Sequence, residues 1–450
     1  MKNFKLRQII IYLSLIFSVF NNAAAQNPFI TNQFTADPTA RVFNGRVYVY
    51  PSHDILARQG HGRVGWFCME DYHVFSSSNL TNWTDHGVIV SQNKVNWVDS
   101  TSFSMWAPDC IERNGKYYFY FPASMKAGLG RGSSIGAAIA ENPAGPFTPQ
   151  PEPIKNVRGI DPNLFIDKNG QAYMYWAMGN IFVAKLKENM LELDSDPQVV
   201  GELPSQGLKE GPFLFERNGI YYMTYPHVQN KIERLEYAVG DNPLGPFKVT
   251  GVIMDESSTG CWTNHQSIIK FNNQWYLFYH HNDLSPKFDK NRSIMVDSLF
   301  FNEDGTIRKV APTLRGVGLT DATWEIQIDR YSSISDNGVS VAFLDSLITF
   351  NGWKTNFDKQ NAWISYNAVD FGHKKLRSVR IKASSQTGGT LQISLDKAEG
   401  TLLAEVKIPK GTGWNTFDTR LLKYQKGIHN LIVSVKDNNP VEVDWIKFIK

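Results

Sequence analysis

Apolar and polar positions recur in one order five times along this chain. The copies read ADPTARVFNGRVYVY from Ala36, APDCIERNGKYYFYF from Ala107, IDPNLFIDKNGQAYMYW from Ile160, KEGPFLFERNGIYYMTY from Lys209 and NHQSIIKFNNQWYLFYH from Asn264. In each, a short apolar run meets a polar pair and then an aromatic-rich alternating run. Asn and Gly tolerate the positive φ that both central residues of a tight hairpin turn need, so each copy predicts a hairpin. The turns fall at 45, 115, 170, 219 and 273, giving spacings of 70, 55, 49 and 54 residues. A period of about 50 residues in an all-β chain predicts a propeller of four-stranded blades. The longer first spacing is filled by residues 53–71, rich in Gly and His, which read as a loop over one face. Two echoes support the count: residues 141–147 (ENPAGPF) recur as 241–247 (DNPLGPF).

A titratable residue opens every copy: Asp37, Asp109, Asp161, Glu210 and His265. A lone Asp in such a place ordinarily satisfies a turn backbone. Acids followed directly by Pro or Gly-Pro, with a histidine in register, point instead to a ring of side chains at one mouth of the propeller channel. Asp109 reads mainly as a supporting or turn residue.

Past the fifth hairpin the repeat ends. Residues 311–325 read as a linker, and residues 326–450 carry short alternating strands without the period, which predicts a β-sandwich. The expected organisation is a leader over 1–25, a five-bladed propeller over 26–315 and the sandwich over 326–450.

Composition narrows the function classes. Net charge is +3 and no basic run lies beyond the extreme N-terminus, so nucleic-acid binding has no electrostatic support. Lys2, Lys5 and Arg7 precede an apolar run over 9–20 and then Ala23, Ala24 and Ala25. That is the pattern of a secretory signal, and the run is too short to span a membrane. A secreted or periplasmic monomer without a membrane anchor is expected. The three cysteines, Cys68, Cys110 and Cys261, fit no zinc spacing and read as buried small apolar residues, with one disulfide open.

Taken together, Ala36-Asp37-Pro38, Trp106-Ala107-Pro108-Asp109, Gly159-Ile160-Asp161-Pro162 and Lys209-Glu210-Gly211-Pro212 resemble glycoside hydrolase family 43 over residues 27–310. The resemblance implies a five-bladed propeller that hydrolyses glycosidic bonds with inversion. It implies Asp37 as general base, Glu210 as general acid and Asp161 as the residue that tunes and holds the acid. It further implies that Arg292 contacts sugar hydroxyls near the base, and that His265 orders water or a bound calcium at the channel centre. Trp106 is either a wall of the sugar pocket or blade core. Inverting hydrolysis needs two carboxyl groups about 6.5–9.5 Å apart, which opposite sides of a narrow channel can supply. A second carboxylate beside Glu210 would raise its pKa from the usual ~4.3 toward neutrality.

Residues 326–331 (IQIDRY), 361–366 (NAWISY), 369–372 (VDFG), Gly413-Trp414 and 443–448 (VDWIKF) together resemble a family 6 carbohydrate-binding module. In such modules two aromatic rings sandwich a sugar, and Trp363 and Trp414 fall at those positions. Glu442 stands where the family often has Asn. Gln327, Asp329 and Asp444 match positions of a structural calcium. The function expected is an inverting exo-glycosidase on plant polysaccharide fragments, an α-L-arabinofuranosidase or β-D-xylosidase, with no required cofactor. An exo-β-galactosidase, an endo-arabinanase or a non-catalytic sugar-binding propeller are the rival readings.

Overall fold

The structure, a computed structural model, describes residues 26–411 and 413–450; the expected leader lies outside them. Regular structure is almost wholly antiparallel β, with two short 3-10 turns, Gln92–Lys94 and Thr349–Asn351. Five separate sheets follow one another. Blade one comprises Phe34–Phe43, Arg46–Asp54, Met69–Ser77 and Thr84–Ser91, paired in that order. Blade two comprises Asp109–Arg113, Lys116–Ser124, Ser133–Ala140 and Thr148–Pro149, and blade three Ile160–Ile166, Ala172–Ala177, Ile181–Leu186 and Gln198–Val199. Blade four comprises Phe213–Arg217, Ile220–Val228, Glu233–Gly240 and Lys248–Met254, and blade five Ser267–Phe271, Gln274–His281 and Ser293–Leu299. The first strand of each blade touches the first strand of the next, and the fifth touches the first. The ring of inner strands is therefore continuous: a five-bladed propeller.

The predicted turns have the backbone their residues favour. Asn44 and Gly45 have φ of 51° and 72°, and Asn272 and Asn273 have 46° and 65°. The third hairpin differs: its loop is wider, with Gly170 N bonded to Asp167 O at 2.8 Å, and Gly170 takes the positive φ without Asn169. The alternating aromatics fill the space between blades. Tyr50 of blade one packs on Phe119 of blade two at 5.8 Å between ring centroids, and both are fully buried.

Blade five has three strands, and the N-terminal segment covers its open edge. The Asn27 side chain bonds both N and O of Val296, at 2.9 and 3.0 Å, and Thr35 N donates to Arg292 O at 2.9 Å. The Ser267 hydroxyl accepts from Ala40 N at 2.9 Å and donates to Pro38 O at 2.6 Å, locking the inner strands of blades five and one. Backbone groups that would otherwise be stranded at the seam are thus paired.

The C-terminal part is a β-sandwich. One sheet runs Thr320–Asp321, Trp363–Asp370, Ile428–Val435, Gly389–Leu395 and Thr401–Ile408. The other runs Val339–Phe343, Trp353–Phe357, Val441–Ile449, Ser378–Ser384 and Asn415–Arg420. Alternation puts Val379, Ile381 and Ala383 of one sheet and Leu391, Ile393 and Leu395 of the other into one core. Thr320 already pairs with Val369, so the sandwich begins inside the stretch expected to be linker. The junction with the propeller is polar and buried. Gln26 Nε2 donates to Gln327 O at 3.0 Å, and Arg330 bonds the carbonyl oxygen of Asn27 while lying 4.1 Å over the Trp353 ring. All three cysteines are buried and free.

Candidate active site

Asp37 and Asp161 occupy unusual backbone. Their φ angles are 49° and 56°, and each lies beside a register shift in its strand pair, between Ala36 and Thr39 in one and between Tyr175 and Ala177 in the other. Left-handed backbone at a non-glycine residue costs energy, and a bulge re-aims a side chain out of the strand's alternation. Both carboxyls line one cavity of about 130 Å³, together with Trp66, Phe67, Trp106, Glu210, Glu233, Trp262, His265 and Arg292. Asp109 has no such bulge and does not join them. Its carboxylate accepts from Arg41 at 2.5 Å, Leu164 N at 2.6 Å, Cys110 N at 2.7 Å and Asn163 Nδ2 at 3.0 Å, so it ties blades one, two and three together. The sequence register therefore placed four of the five openers at the pocket.

Asp37 is held as a carboxylate. Burial pushes its carboxyl up, but the Arg292 guanidinium, the nearby histidines and the Ser52 hydroxyl outweigh burial and bring it to about 2. Arg292 Nη1 and Nη2 donate to its two oxygens at 2.8 and 3.2 Å, and Ser52 Oγ donates at 2.7 Å. Arg292 also donates from Nε and Nη2 to Asp54 at 2.9 Å each, and from Nη1 to Thr263 Oγ1 at 3.2 Å. A guanidinium has five N–H donors, and all five are accounted for. Arg292 is 2% exposed. In this structure it holds the Asp37 carboxylate instead of presenting a free edge to the cavity. Asp37 N donates to His280 Nδ1 at 3.0 Å, which makes His280 Nδ1 an acceptor and the ring neutral.

The carboxyls opposite in character are Asp161, Glu210 and Glu233. Burial first, then the charge of Glu210 and Asp37, raises Asp161 well above the ordinary range. Burial raises Glu210, with the charge of Asp37 adding to it, against a hydrogen bond from Glu233 that lowers it. Burial and the neighbouring Glu210 raise Glu233. Asp161 Oδ2 accepts Gly211 N at 3.0 Å, directly beside Glu210 in the chain, so it fixes the loop that carries Glu210. Glu233 meets Glu210 carboxyl to carboxyl, and its Oε2 accepts Asn264 N at 2.7 Å. Two carboxyl groups in contact must share a proton. The cavity thus contains one carboxyl kept ionised, Asp37, and three with raised pKa that do not all ionise together.

His265 Nδ1 lies 4.0 Å from Asp37 Oδ1, and burial lowers its pKa to about 4. The residues around it do not build a calcium cage. Calcium takes 6–8 oxygen ligands, whereas His265 offers nitrogen and both Asp37 oxygens already accept Arg292 and Ser52. Trp106 lines the cavity, and its Nε1 is buried without a protein partner. In the sandwich the three expected calcium positions are engaged elsewhere. Asp444 pairs with Lys382 at 2.7 Å, Asp329 Oδ1 with Arg330 at 3.0 Å, and the Gln327 carbonyl with Gln26. Asp329 Oδ2 is left buried and unpaired. Trp363 and Trp414 stand on strands, or beside strands, of different sheets, and each is partly exposed. Glu442 pairs with Lys354 at 2.6 Å.

Sequence reasoning missed Asp54, Glu233, Trp66, Phe67 and Trp262. The last three close the cavity from blade one's long loop and from the stretch before blade five: the rings of Phe67 and Trp262 stack at 6.0 Å, and those of Trp66 and Trp262 lie 6.3 Å apart. The long first spacing was the signal for Trp66 and Phe67; Trp262, in the connection between blades four and five, had none.

The model of glycosyl hydrolases family 43 matches residues 25–307, well over half the chain. The chain belongs to that family. It is a glycoside hydrolase, and the model of carbohydrate binding module family 6 matches residues 336–450. Among its relatives is xylosidase/arabinosidase 43A of Humicola insolens, 38% identical over 62% of this chain and 98% of the relative. An arabinoxylan arabinofuranohydrolase of Bacillus subtilis (strain 168) is 26% identical over 93% of this chain and 91% of the relative. Among solved structures, a family 43 β-xylosidase/α-arabinofuranosidase from a compost metagenome, in a calcium-free complex with xylotriose, is 34% identical. It covers 64% of this chain and 98% of its own, with a TM-score of 0.58.

Proposed function

We propose that this glycosidase removes single terminal pentoses, β-D-xylose or α-L-arabinofuranose, from xylan- or arabinan-derived chains, with inversion. The observation that carries the reading is the small aromatic-walled pocket in which Asp37 is held ionised while burial and the charge of Asp37 raise Glu210. Its volume, about 130 Å³, lies well below the ~300–1,000 Å³ of pockets that enclose drug-sized ligands. It suits one sugar ring and not the middle of a polymer, which favours exo action. The aromatic walls offer apolar surface to sugar C–H faces, and Trp106 Nε1 offers a donor to a hydroxyl. Relatives named for xylosidase and arabinosidase activity support pentose as the sugar.

In this mechanism Glu210 gives its proton to the glycosidic oxygen as the bond to the anomeric carbon breaks. A water attacks that carbon from the other face and passes a proton to Asp37. Glu210 ends ionised, Asp37 protonated, and exchange with solvent resets both. Asp37 and Glu210 come from blades one and four, which are not neighbours in the ring, so a sugar and a water fit between them. Asp161 acts through Glu210 by holding its loop, and Glu233 by hydrogen-bonding its carboxyl. Arg292, Asp54 and Ser52 act through Asp37. No step needs a metal. The sandwich adds affinity for polymer through Trp363 and Trp414, and the N-terminal leader directs the enzyme out of the cytoplasm.

The test is a panel of nitrophenyl β-D-xyloside, α-L-arabinofuranoside and β-D-galactoside. Turnover should favour a pentoside, and Asp37→Asn and Glu210→Gln should each lower kcat at least ~10²-fold in folded protein. Preference for the galactoside, or near-normal turnover in either variant, would overturn the reading.

A further inference from the structure

The general acid marks the side on which the leaving group lies. Glu210 and Ile160 line the small catalytic pocket, and both also line a groove of about 710 Å³ between blades two, three and four. If the terminal sugar occupies the cavity, the rest of the substrate runs along this groove. Two features of the groove suit a saccharide. Met178 is 53% exposed and Leu208 37%, an apolar floor for sugar rings in a place where such residues are otherwise unfavourable.

The third feature is charge. The groove carries Arg131, Arg158 and Lys209, and its single acidic lining residue is Glu210, which favours its proton before reaction. Lys209 is 5% exposed and its ammonium bonds Gly207 O at 2.9 Å, so it contributes field and not a free hand. Arg131 and Arg158 are exposed and stand in no ion pair with a described carboxylate; the bonds of Arg158 Nη1 go to Met125 Sδ at 3.1 Å and Arg131 O at 3.4 Å. Both guanidinium forks therefore retain free donors over the groove. A neutral xylan chain gives such a concentration of one sign nothing to neutralise. A guanidinium matches a carboxylate in geometry and charge.

We infer that the leaving-group side of this enzyme takes acidic saccharide: a xylo-oligosaccharide bearing a uronic acid branch, whose carboxylate is read by Arg131 and Arg158. The inference rests on the pentosidase reading above. Acidic branches would then be recognised while the terminal pentose beside them is removed, and the products would be shorter acidic oligosaccharides for an enzyme that cleaves the uronosyl bond.

The test compares two oligosaccharides ending in whichever pentose the enzyme removes from aryl glycosides. One is neutral, and the other carries a glucuronosyl group on the sugar next to the terminal one. At 20 mM NaCl, kcat/KM for the acidic substrate should exceed that for the neutral one by about fivefold, and 300 mM NaCl should cut the advantage below about twofold by screening. Arg131→Ala with Arg158→Ala should abolish the preference and leave nitrophenyl pentoside hydrolysis unchanged. Equal or better cleavage of the neutral substrate at low salt, or a preference untouched by the double variant, overturns the inference. Failure to cleave any neutral oligosaccharide or aryl pentoside would sink the pentosidase reading itself, and this inference with it.

Discussion

Replacing Arg292 by lysine separates charge from geometry at Asp37, the base of the proposed mechanism. Lysine keeps one positive charge, so Asp37 and Asp54 are not left buried without a cation; removing the charge outright would cost about 3–5 kcal/mol of stability. It brings three donors on a point charge where arginine uses five in a fixed fork. At least two charge-assisted hydrogen bonds are lost, each worth about 1.5–3 kcal/mol, so about 3–6 kcal/mol in all. Read through Asp37 the size is similar. Its carboxyl sits at about 2 because Arg292 overcomes burial. With that grip loosened it should rise to ~4–6, a shift of about 2–4 units or 3–5 kcal/mol at ~1.36 kcal/mol per unit. The assay is kcat/KM on an aryl pentoside from pH 3 to pH 9, with circular dichroism at each pH. Wild-type enzyme should show no acidic limb from Asp37 above pH 3. The Arg292→Lys enzyme should show one centred between about pH 4 and 6, and at pH 4 it should lose tenfold or more relative to its own plateau. A folded variant with an unmoved acidic limb would mean that Arg292 does not set the charge of the base. Stability follows the same sign. Asp37 titrates lower folded than unfolded, so its contribution is present above about pH 4 and is lost as pH falls toward 2.

Glu233→Leu removes the carboxyl whose hydrogen bond to Glu210 draws that group's pKa down against burial. The alkaline limb of the pH–rate profile should move about one unit toward alkali, while a purely structural role would lower the rate at every pH without moving the limb. Trp363→Ala and Trp414→Ala should weaken retardation of the full chain on arabinoxylan in affinity electrophoresis and spare turnover of small aryl glycosides. Unchanged retardation in both would leave the sandwich without a sugar site at these rings.

What could be read from the sequence was what local chemistry determines. Asn-Gly pairs and alternating aromatics specify hairpins without knowledge of the rest of the chain, so the five blades and the change to a sandwich after them were legible. The register of the openers was legible too, but not their aim. Asp109 matches Asp37 and Asp161 in register yet turns into a staple between blades, because only the other two sit on left-handed backbone at a bulge. Glu233 was invisible because it opens the third strand of its blade, outside the repeated segment, and meets Glu210 only after the blade folds back. Arg292 was found but given a freer role, since the sequence does not show Asp54 waiting to take two of its bonds.

The central claim is that Asp37 activates water on the face of the sugar opposite the proton delivered by Glu210. Proton NMR of the first-formed sugar tests it most directly, recorded within minutes of adding enzyme to a β-xyloside or α-arabinofuranoside, before mutarotation. The account predicts that the new anomeric signal has the configuration opposite to the substrate: α-xylose from a β-xyloside, β-arabinose from an α-arabinofuranoside. A first product with the substrate's own configuration would mean retention through a covalent intermediate, and Asp37 could not be the base.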